Sequence, residues 1–241
     1  MKRKLLVGLA ILLVLAGVTG TAEATLLTIG TATYTSARYT SYNQSLLATE
    51  NVYNLIWDDD NNGNSVIWLD YTNGPLKWLQ QNAWAAELDL FLTYNIDDAY
   101  NVVWDDDTWR LSSAGENPVY LYDAITSEMG HLAYIELGQS YPDRGTRCVT
   151  SAELNASNFD NLINSAYWSG TVYASNTANA WGFDIGTGGQ YFAGKYDSGY
   201  FGLAIRNGDV SLVPVPEPST IFLMGIGLLG IVAIKSRKQK S

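Results

Sequence analysis

Cysteine and histidine are almost absent from this chain of 241 residues, which holds one of each, Cys148 and His131. A single cysteine cannot build a disulfide framework within the chain. Hydrolytic triads need a histidine base beside a nucleophile, and His131 lies in a predicted helix without a recognisable nucleophile motif. We therefore expect Cys148 to be a small buried hydrophobic residue and His131 to be a helix or packing residue.

Positive charge is also scarce. Between residues 25 and 216 the chain has seven Lys and Arg against twenty-two Asp and Glu, a net charge of −15. Nucleic-acid binding is disfavoured because phosphate contacts need clustered Lys and Arg, and the same charge repels an anionic membrane surface. Cations, neutral glycans and basic proteins remain possible binding partners.

Aromatic residues are abundant instead. All eight Trp and all sixteen Tyr fall between residues 25 and 216, with Asn, Ser, Thr and Gly between them. This composition is typical of an extracellular domain rich in β-strands and loops. Aromatic side chains also line glycan sites, although in a domain of this size most of them belong to the core.

The N-terminus has the three parts of a secretory signal peptide. Lys2, Arg3 and Lys4 form a charged start, residues 5–18 are apolar, and residues 22–24 read Ala-Glu-Ala, an A-x-A cleavage site. The sequence therefore predicts a signal peptide at 1–24 and export of the remainder.

The C-terminus has a second three-part signal. Pro216, Glu217 and Pro218 form an extended hinge, residues 221–234 are apolar, and residues 235–241 are mostly basic. Fourteen residues at ~1.5 Å per residue cover ~21 Å, less than the ~30 Å hydrocarbon core of a membrane. Such a short span favours a processed sorting helix over the alternative, a permanent transmembrane anchor.

This tail resembles the PEP-CTERM sorting signal, with the motif at Pro216, Glu217 and Pro218. The resemblance implies that the protein comes from a Gram-negative bacterium that makes exopolysaccharide. It also implies that an exosortase is a partner of the protein. It also implies a precursor held transiently in the inner membrane by residues 221–234. After processing, the protein is expected in the cell envelope or the extracellular matrix.

The first half of the exported part predicts strands and one helix. Residues 26–34 alternate as a strand does, and residues 52–57 and 66–70 predict a hairpin with a wide acidic loop at 58–64. Asn73, Gly74 and Pro75 predict a helix start. The helix would cover residues 76–90 and pack through one face. That face consists of Leu79, Ala83, Ala86 and Leu90.

The second half predicts another helix and four strands. Ser127 is a helix N-cap candidate and Gly138 a stop, which indicates a helix over 127–137. The predicted strands are 166–173, 180–185, 190–194 and 200–206. The fold class predicted from these elements is α+β, an antiparallel sheet with two helices and long loops.

A further set of short motifs occurs in order between residues 51 and 210. They are Trp109-Arg110-Leu111, residues 127–132, residues 135–138, residues 167–170 with Tyr173, residues 180–183 and residues 204–206. Together they resemble the Lcl C-terminal-like family of domains of unknown function. The chain departs from the family's "WRLPT" box, because Ser112 and Ser113 stand where the family has Pro and Thr.

That family looks related to C-type lectin-like domains and formylglycine-generating enzymes, which implies a small twisted antiparallel sheet with two helices and long loops. Formylglycine-generating enzymes depend on active-site cysteines, so a chain with Cys148 alone does not fit their chemistry. The predicted organisation is a signal peptide at 1–24, an N-terminal strand and connection at 25–50, and an Lcl C-terminal-like domain at 51–212. The sorting signal follows at 213–241, with its hinge at 213–220.

One local pattern has the character of a metal site. Residues 58–63 read Asp-Asp-Asp-Asn-Asn-Gly, which fits the D-x-D-x-N-G start of a calcium loop with Asp58, Asp60 and Asn62 as ligands and Asn64 as an additional candidate. An EF-hand closes with Glu at position twelve, where this chain has Leu69, so a solvated acidic turn is the alternative.

The sequence thus favours a non-enzymatic binding or structural component of the exopolysaccharide matrix. The alternative is a secreted glycan hydrolase that uses two carboxylates, because spacing in sequence does not fix the separation of acids in space. Fold analogy alone does not establish sugar binding.

Overall fold

The computed structural model describes residues 26–35, 52–105, 108–140, 150–155 and 158–214. The strands are β1 (Leu26–Tyr34), β2 (Val52–Asn61), β3 (Asn64–Leu76), β4 (Leu92–Ile96), β5 (Tyr100–Trp104), β6 (Arg110–Leu111), β7 (Leu121–Tyr122), β8 (Ala166–Val172), β9 (Asn179–Asp184), β10 (Gly189–Gly194) and β11 (Tyr200–Leu212). The helices are α1 (Trp78–Ala86), α2 (Glu128–His131) and α3 (Ser151–Leu154). A 3₁₀ turn (Leu88–Leu90) follows α1, and a π-helical turn (Leu132–Glu136) continues α2.

The strands form one open sheet in the order β4-β1-β2-β3-β11-β8-β9-β10-β7, and β5 and β6 also pair with β11. The contact between β8 and β11, at Tyr167 and Phe201, is parallel, and the other pairings among the described strands are antiparallel. Because β1 pairs with both β2 and β4, the strand at the start of the exported part belongs to the same sheet.

Both faces of the central strands are buried. Along β3, Val66 and Trp68 join one apolar cluster, with α2 and its π-helical turn, while Ile67 and Leu69 join the other, with α1. Successive side chains of a strand point to opposite faces, so a strand that is covered on both faces needs apolar residues at every position. The helices on the two faces of the sheet therefore account for the continuous apolar residues 66–69.

The protein is mostly β-sheet with few helices, and the strand predictions are largely confirmed. The first strand has the predicted bounds, and the four predicted C-terminal strands correspond to β8, β9, β10 and β11. Ser127 caps α2, since its hydroxyl accepts a hydrogen bond from Gly130 N at 3.0 Å, and Gly138 has a positive φ of 58°. The eleven-stranded sheet is much larger than the small sheet that was expected.

The prediction for the first helix is wrong in its start and in its packing face. Asn73, Gly74 and Pro75 belong to β3, and α1 begins at Trp78. Leu79 and Leu90 are 62% and 76% exposed, and the buried side of α1 consists of Gln81, Trp84 and Ala85. Trp84 offers far more apolar area than Leu79 and takes the sheet-facing position.

In the described parts of the chain, no helix is both long and apolar enough to cross a membrane. The predicted signal peptide, the predicted sorting helix at 221–234 and Cys148 lie outside the described residues.

Candidate functional site

The acidic segment at residues 58–64 is part of a tight hairpin rather than a wide loop. Strand β2 continues through the acids to Asn61, and only Asn62 and Gly63 separate it from β3. These two residues have φ values of 55° and 81°. Two successive positive φ angles with the sequence Asn-Gly are the signature of a type I′ hairpin turn. The expectation of a wide loop at 58–64 is therefore wrong, because Asn-Gly permits the shorter turn.

The predicted calcium ligands lie in different environments. Asp58 is fully buried, and its Oδ2 accepts hydrogen bonds from Asn61 Nδ2 at 2.8 Å and Trp68 Nε1 at 3.1 Å. Asp60 is exposed, and its Oδ1 accepts from Gly63 N at 2.8 Å. The pairing register of β2 and β3 shifts between Asp58 and Asn61, which breaks the simple alternation of side chains. Calcium binding by Asp58, Asp60 and Asn62 stays a prediction.

The hairpin turn is fixed to the N-terminus of α2. Asn61 Nδ2 donates to Glu128 O and Asn62 Nδ2 to Ser127 O, both at 3.3 Å. The chain is tight here, since a Cβ on Gly130 would lie 2.0 Å from Ala124 O. Only glycine fits at residue 130, so the start of α2 lies directly against the backbone of the segment that precedes it.

Beside this junction, Glu128 is the centre of a polar network. Its carboxylate accepts two hydrogen bonds from Arg110, at 2.7 and 2.8 Å, and one from Ser113 N at 2.6 Å. Arg110 also donates to Asn207 Oδ1 at 2.6 Å. A bidentate arginine and a backbone N–H hold this carboxylate in one orientation as an acceptor.

A cleft of about 520 Å³ opens over the network. Apart from Gly115, its lining residues have polar side chains; the lining consists of Asn62, Asn64, Ser113, Gly115, Glu116, Asn117, Thr126 and Glu128. The volume lies within the range of about 300–1,000 Å³ that is usual for ligand sites. The described lining offers amides, hydroxyls and carboxylates but no Lys or Arg, so it suits a ligand that donates and accepts many hydrogen bonds and carries no negative charge.

We expect Glu128→Ala to lower the free energy of unfolding by about 2 kcal/mol, because it leaves Arg110 and Ser113 N without their shared acceptor. The neighbouring Glu116 is exposed, and Glu116→Ala should change stability by less than about 0.5 kcal/mol. Urea unfolding of both variants measures the difference. Equal stabilities would mean that the Glu128 network does not hold the cleft wall.

A second group of polar residues lies under the hairpin. One carboxylate oxygen each of Asp58 and Glu136 and one ring nitrogen of His131 lie within 4.8 Å of one another. Burial raises the pKa of Asp58, although hydrogen bonds from Asn61 and Trp68 oppose the rise. Burial and the negative charges of Asp58, Asp59 and Asp60 raise the pKa of Glu136 to about 7.

Sequence reasoning missed this group. His131 was expected to be a packing residue, and Glu136 had no assigned role. Their spacing of five residues places two side chains on different faces of an α-helix, whereas the π-helical turn bonds residue i to i+5 and aligns them. The chain gives no sequence signal for that turn, so this proximity could be read only from the structure.

Comparison with known proteins supports the C-terminal signal. Residues 214–238 match the PEP-CTERM protein-sorting motif. Among curated proteins and among solved structures, no match to the chain was found. The chain therefore carries the signal of an exported, membrane-anchored precursor that an exosortase recognises and processes.

Proposed function

We propose that the exported domain binds a neutral glycan of the exopolysaccharide matrix through the polar cleft. The observation that carries this proposal is the cleft lining of amides, hydroxyls and carboxylates. Sugar hydroxyls both donate and accept hydrogen bonds, which matches this mixture. The sorting motif supports the proposal because it is the signal of an exported precursor that an exosortase processes.

Charge narrows the class of glycan. Glu116 and Glu128 line the cleft, and the exported part has a net charge of −15. Because Arg110 pairs with Glu128, the uncompensated charges are those of Glu116 and of the exported part as a whole, and these repel a polysaccharide of uronic acids. The ligand that fits is a neutral glycan.

An exposed aromatic residue stands close to the cleft in sequence. Tyr120 follows Asn117 by three residues and is 69% exposed, with its ring 5.8 Å from that of Phe192. An exposed aromatic face of this kind can stack on the apolar face of a sugar ring. Tyr120 does not line the cleft, so it is a candidate for contact with a longer glycan beyond the cleft and is not part of the site itself.

The cleft geometry favours binding over hydrolysis. A carboxylate-based hydrolase needs one acid that gives a proton to the leaving group. Both oxygens of Glu128 accept hydrogen bonds from Arg110 or Ser113, so this residue is placed as an acceptor. Glu116 alone does not supply the pair.

Binding can be tested with matched variants. The exported domain should be retained on neutral exopolysaccharide from the producing bacterium, and Asn117→Ala or Glu116→Ala should weaken retention about tenfold, since each removes hydrogen bonds to sugar. Asp98→Asn removes one charge from an exposed residue that does not line the cleft and should bind as the wild type does.

Two results would change the assignment. If none of the proteins is retained on any neutral or acidic glycan, the binding role fails and only a structural role in the matrix remains. If the wild type instead releases new reducing ends from the polysaccharide, the hydrolase alternative is correct.

A further inference from the structure

Three buried polar atoms converge beneath the hairpin without hydrogen bonds to satisfy them. From the described residues, no hydrogen bond reaches Asp58 Oδ1, His131 Nε2 or Glu136 Oε1. Asp58 is fully buried, and the side chain of Glu136 is only 1% exposed. A buried polar atom without a partner costs about 1–3 kcal/mol, and three in one place need a common explanation.

The local fold builds this arrangement from two elements. Asp58 comes from β2, and its Oδ2 is fixed by Asn61 and Trp68, which directs Oδ1 toward the helix. His131 and Glu136 come from α2 and the π-helical turn after it, with His131 Nε2 3.4 Å from Glu136 Oε1. The hydrogen bonds to Asp58 Oδ2 act as the outer support that metal-binding carboxylates commonly have.

The charges of the group are not balanced within it, because one imidazole can offset at most one of the two carboxylates. Two carboxylates and one imidazole share the space, so the ionised group has an excess of negative charge. A divalent cation between them would give each unsatisfied atom a partner and remove the repulsion between the carboxylates.

We propose that Asp58, His131 and Glu136 form a binding site for a divalent transition-metal ion, of which Zn²⁺ fits best. One imidazole nitrogen with two carboxylate oxygens is a ligand set that proteins offer to Zn²⁺. Ca²⁺ takes six to eight oxygen ligands and has no preference for nitrogen. The site is separate from glycan binding and fixes the β2–β3 hairpin to α2.

Calorimetric titration of the exported protein, purified without a histidine tag, tests this site with Zn²⁺ as the probe. We expect one Zn²⁺ per chain and a rise in the thermal midpoint, because a ligand bound to the native state stabilises it. His131→Gln and Glu136→Gln should each weaken Zn²⁺ binding at least about a hundredfold. His131 is the one histidine of the chain, so no second imidazole can replace it.

Control variants separate this site from other sources of binding. Glu116→Gln alters an exposed carboxylate, Cys148→Ser removes the thiol, and Asp60→Asn removes a predicted calcium ligand. Glu116→Gln and Cys148→Ser should bind Zn²⁺ as the wild type does, and Asp60→Asn, which removes a charge that acts on Glu136, should keep the site with only a small change in affinity. A Ca²⁺ titration that loses binding in Asp60→Asn but not in His131→Gln would place calcium at the turn and leave Zn²⁺ at the buried group.

X-ray absorption of the Zn²⁺-loaded wild type keeps the test independent of variant folding. One nitrogen and several oxygen ligands at about 2.0–2.2 Å support the site. A sulfur ligand, wild-type affinity in His131→Gln, or no Zn²⁺ binding by the wild type would overturn it.

Discussion

Alanine in place of Pro216, Glu217 and Pro218 is expected to leave nearly all of the protein uncut at its C-terminus. These residues lie in the segment 214–238 that matches the PEP-CTERM protein-sorting motif, and they are the proposed recognition residues. Proline fixes its own φ and restricts the residue before it, so this sequence favours an extended segment, and alanines remove both that preference and the carboxylate of Glu217. The loss should be close to complete because the enzyme reads the motif itself.

Mass spectrometry of the C-terminus in cells with and without the exosortase measures this result. Val213→Ala, one residue before the matched segment, is the control and should be processed normally. In the wild type the tail from 221 onward should be missing from the mature pool. A wild-type tail that ends at Ser241 would contradict processing, and a normally cut triple variant would contradict the role of these three residues.

Asp70→Ala is expected to lower the free energy of unfolding by about 4 kcal/mol at pH 4.5. Asp70 is fully buried in β3 and accepts hydrogen bonds from Asp160 N at 2.8 Å and from Asn161 N at 3.0 Å and Nδ2 at 3.1 Å. The loop that it holds carries the buried core residues Phe159 and Leu162. The variant loses three hydrogen bonds and loosens that part of the core.

The destabilisation caused by Asp70→Ala should become smaller as the pH rises from 4.5 to 7. Burial outweighs the hydrogen bonds and raises the pKa of Asp70 from 3.8 to about 6. Between these values the folded protein holds a proton that the unfolded chain has released, so this contribution to stability is present at low pH and is lost as pH rises toward 7. The difference between pH 4.5 and pH 7 is about 2 kcal/mol.

Urea unfolding of the wild type and the variant at both pH values measures this difference, with exposed Asp98→Ala as the control. The control should cost less than about 0.5 kcal/mol at either pH. A cost of Asp70→Ala that grows from pH 4.5 to pH 7 would mean that the folded protein lowers the pKa of this residue.

The strands could be predicted from sequence because their signals are local. In β1, apolar and small polar residues alternate over nine positions, and the predicted bounds agree with those observed. The N-cap at Ser127 is likewise a local hydrogen bond. Such features depend on a few neighbouring residues and not on the tertiary arrangement of the rest of the chain.

The packing face of α1 could not be predicted, because its central residue is polar. Gln81 is fully buried, donates to Gly74 O at 2.7 Å and accepts from Asn73 Nδ2 at 2.7 Å. A hydrophobic pattern assigns glutamine to solvent, and only the tertiary partners make its burial favourable. The buried group of Asp58, His131 and Glu136 escaped prediction for a related reason, since its members meet through a π-helical turn and a strand far away in sequence.

Strand β11 has a consequence for when the protein can fold during export. It contacts β3, β5, β6 and β8 and lies between β3 and β8 in the sheet, yet it is the last strand along the described chain. A chain that crosses a membrane from its N-terminus leaves the two halves of the sheet unjoined until residues 200–207 have emerged, and the pairing with β5 waits for residue 212. Such distant pairing makes folding slow and leaves strand edges open meanwhile. Val213 N still donates to Ala99 O at 2.8 Å, and the sorting motif begins at residue 214, so completion of the fold and arrival of the sorting signal fall at nearly the same moment of translocation.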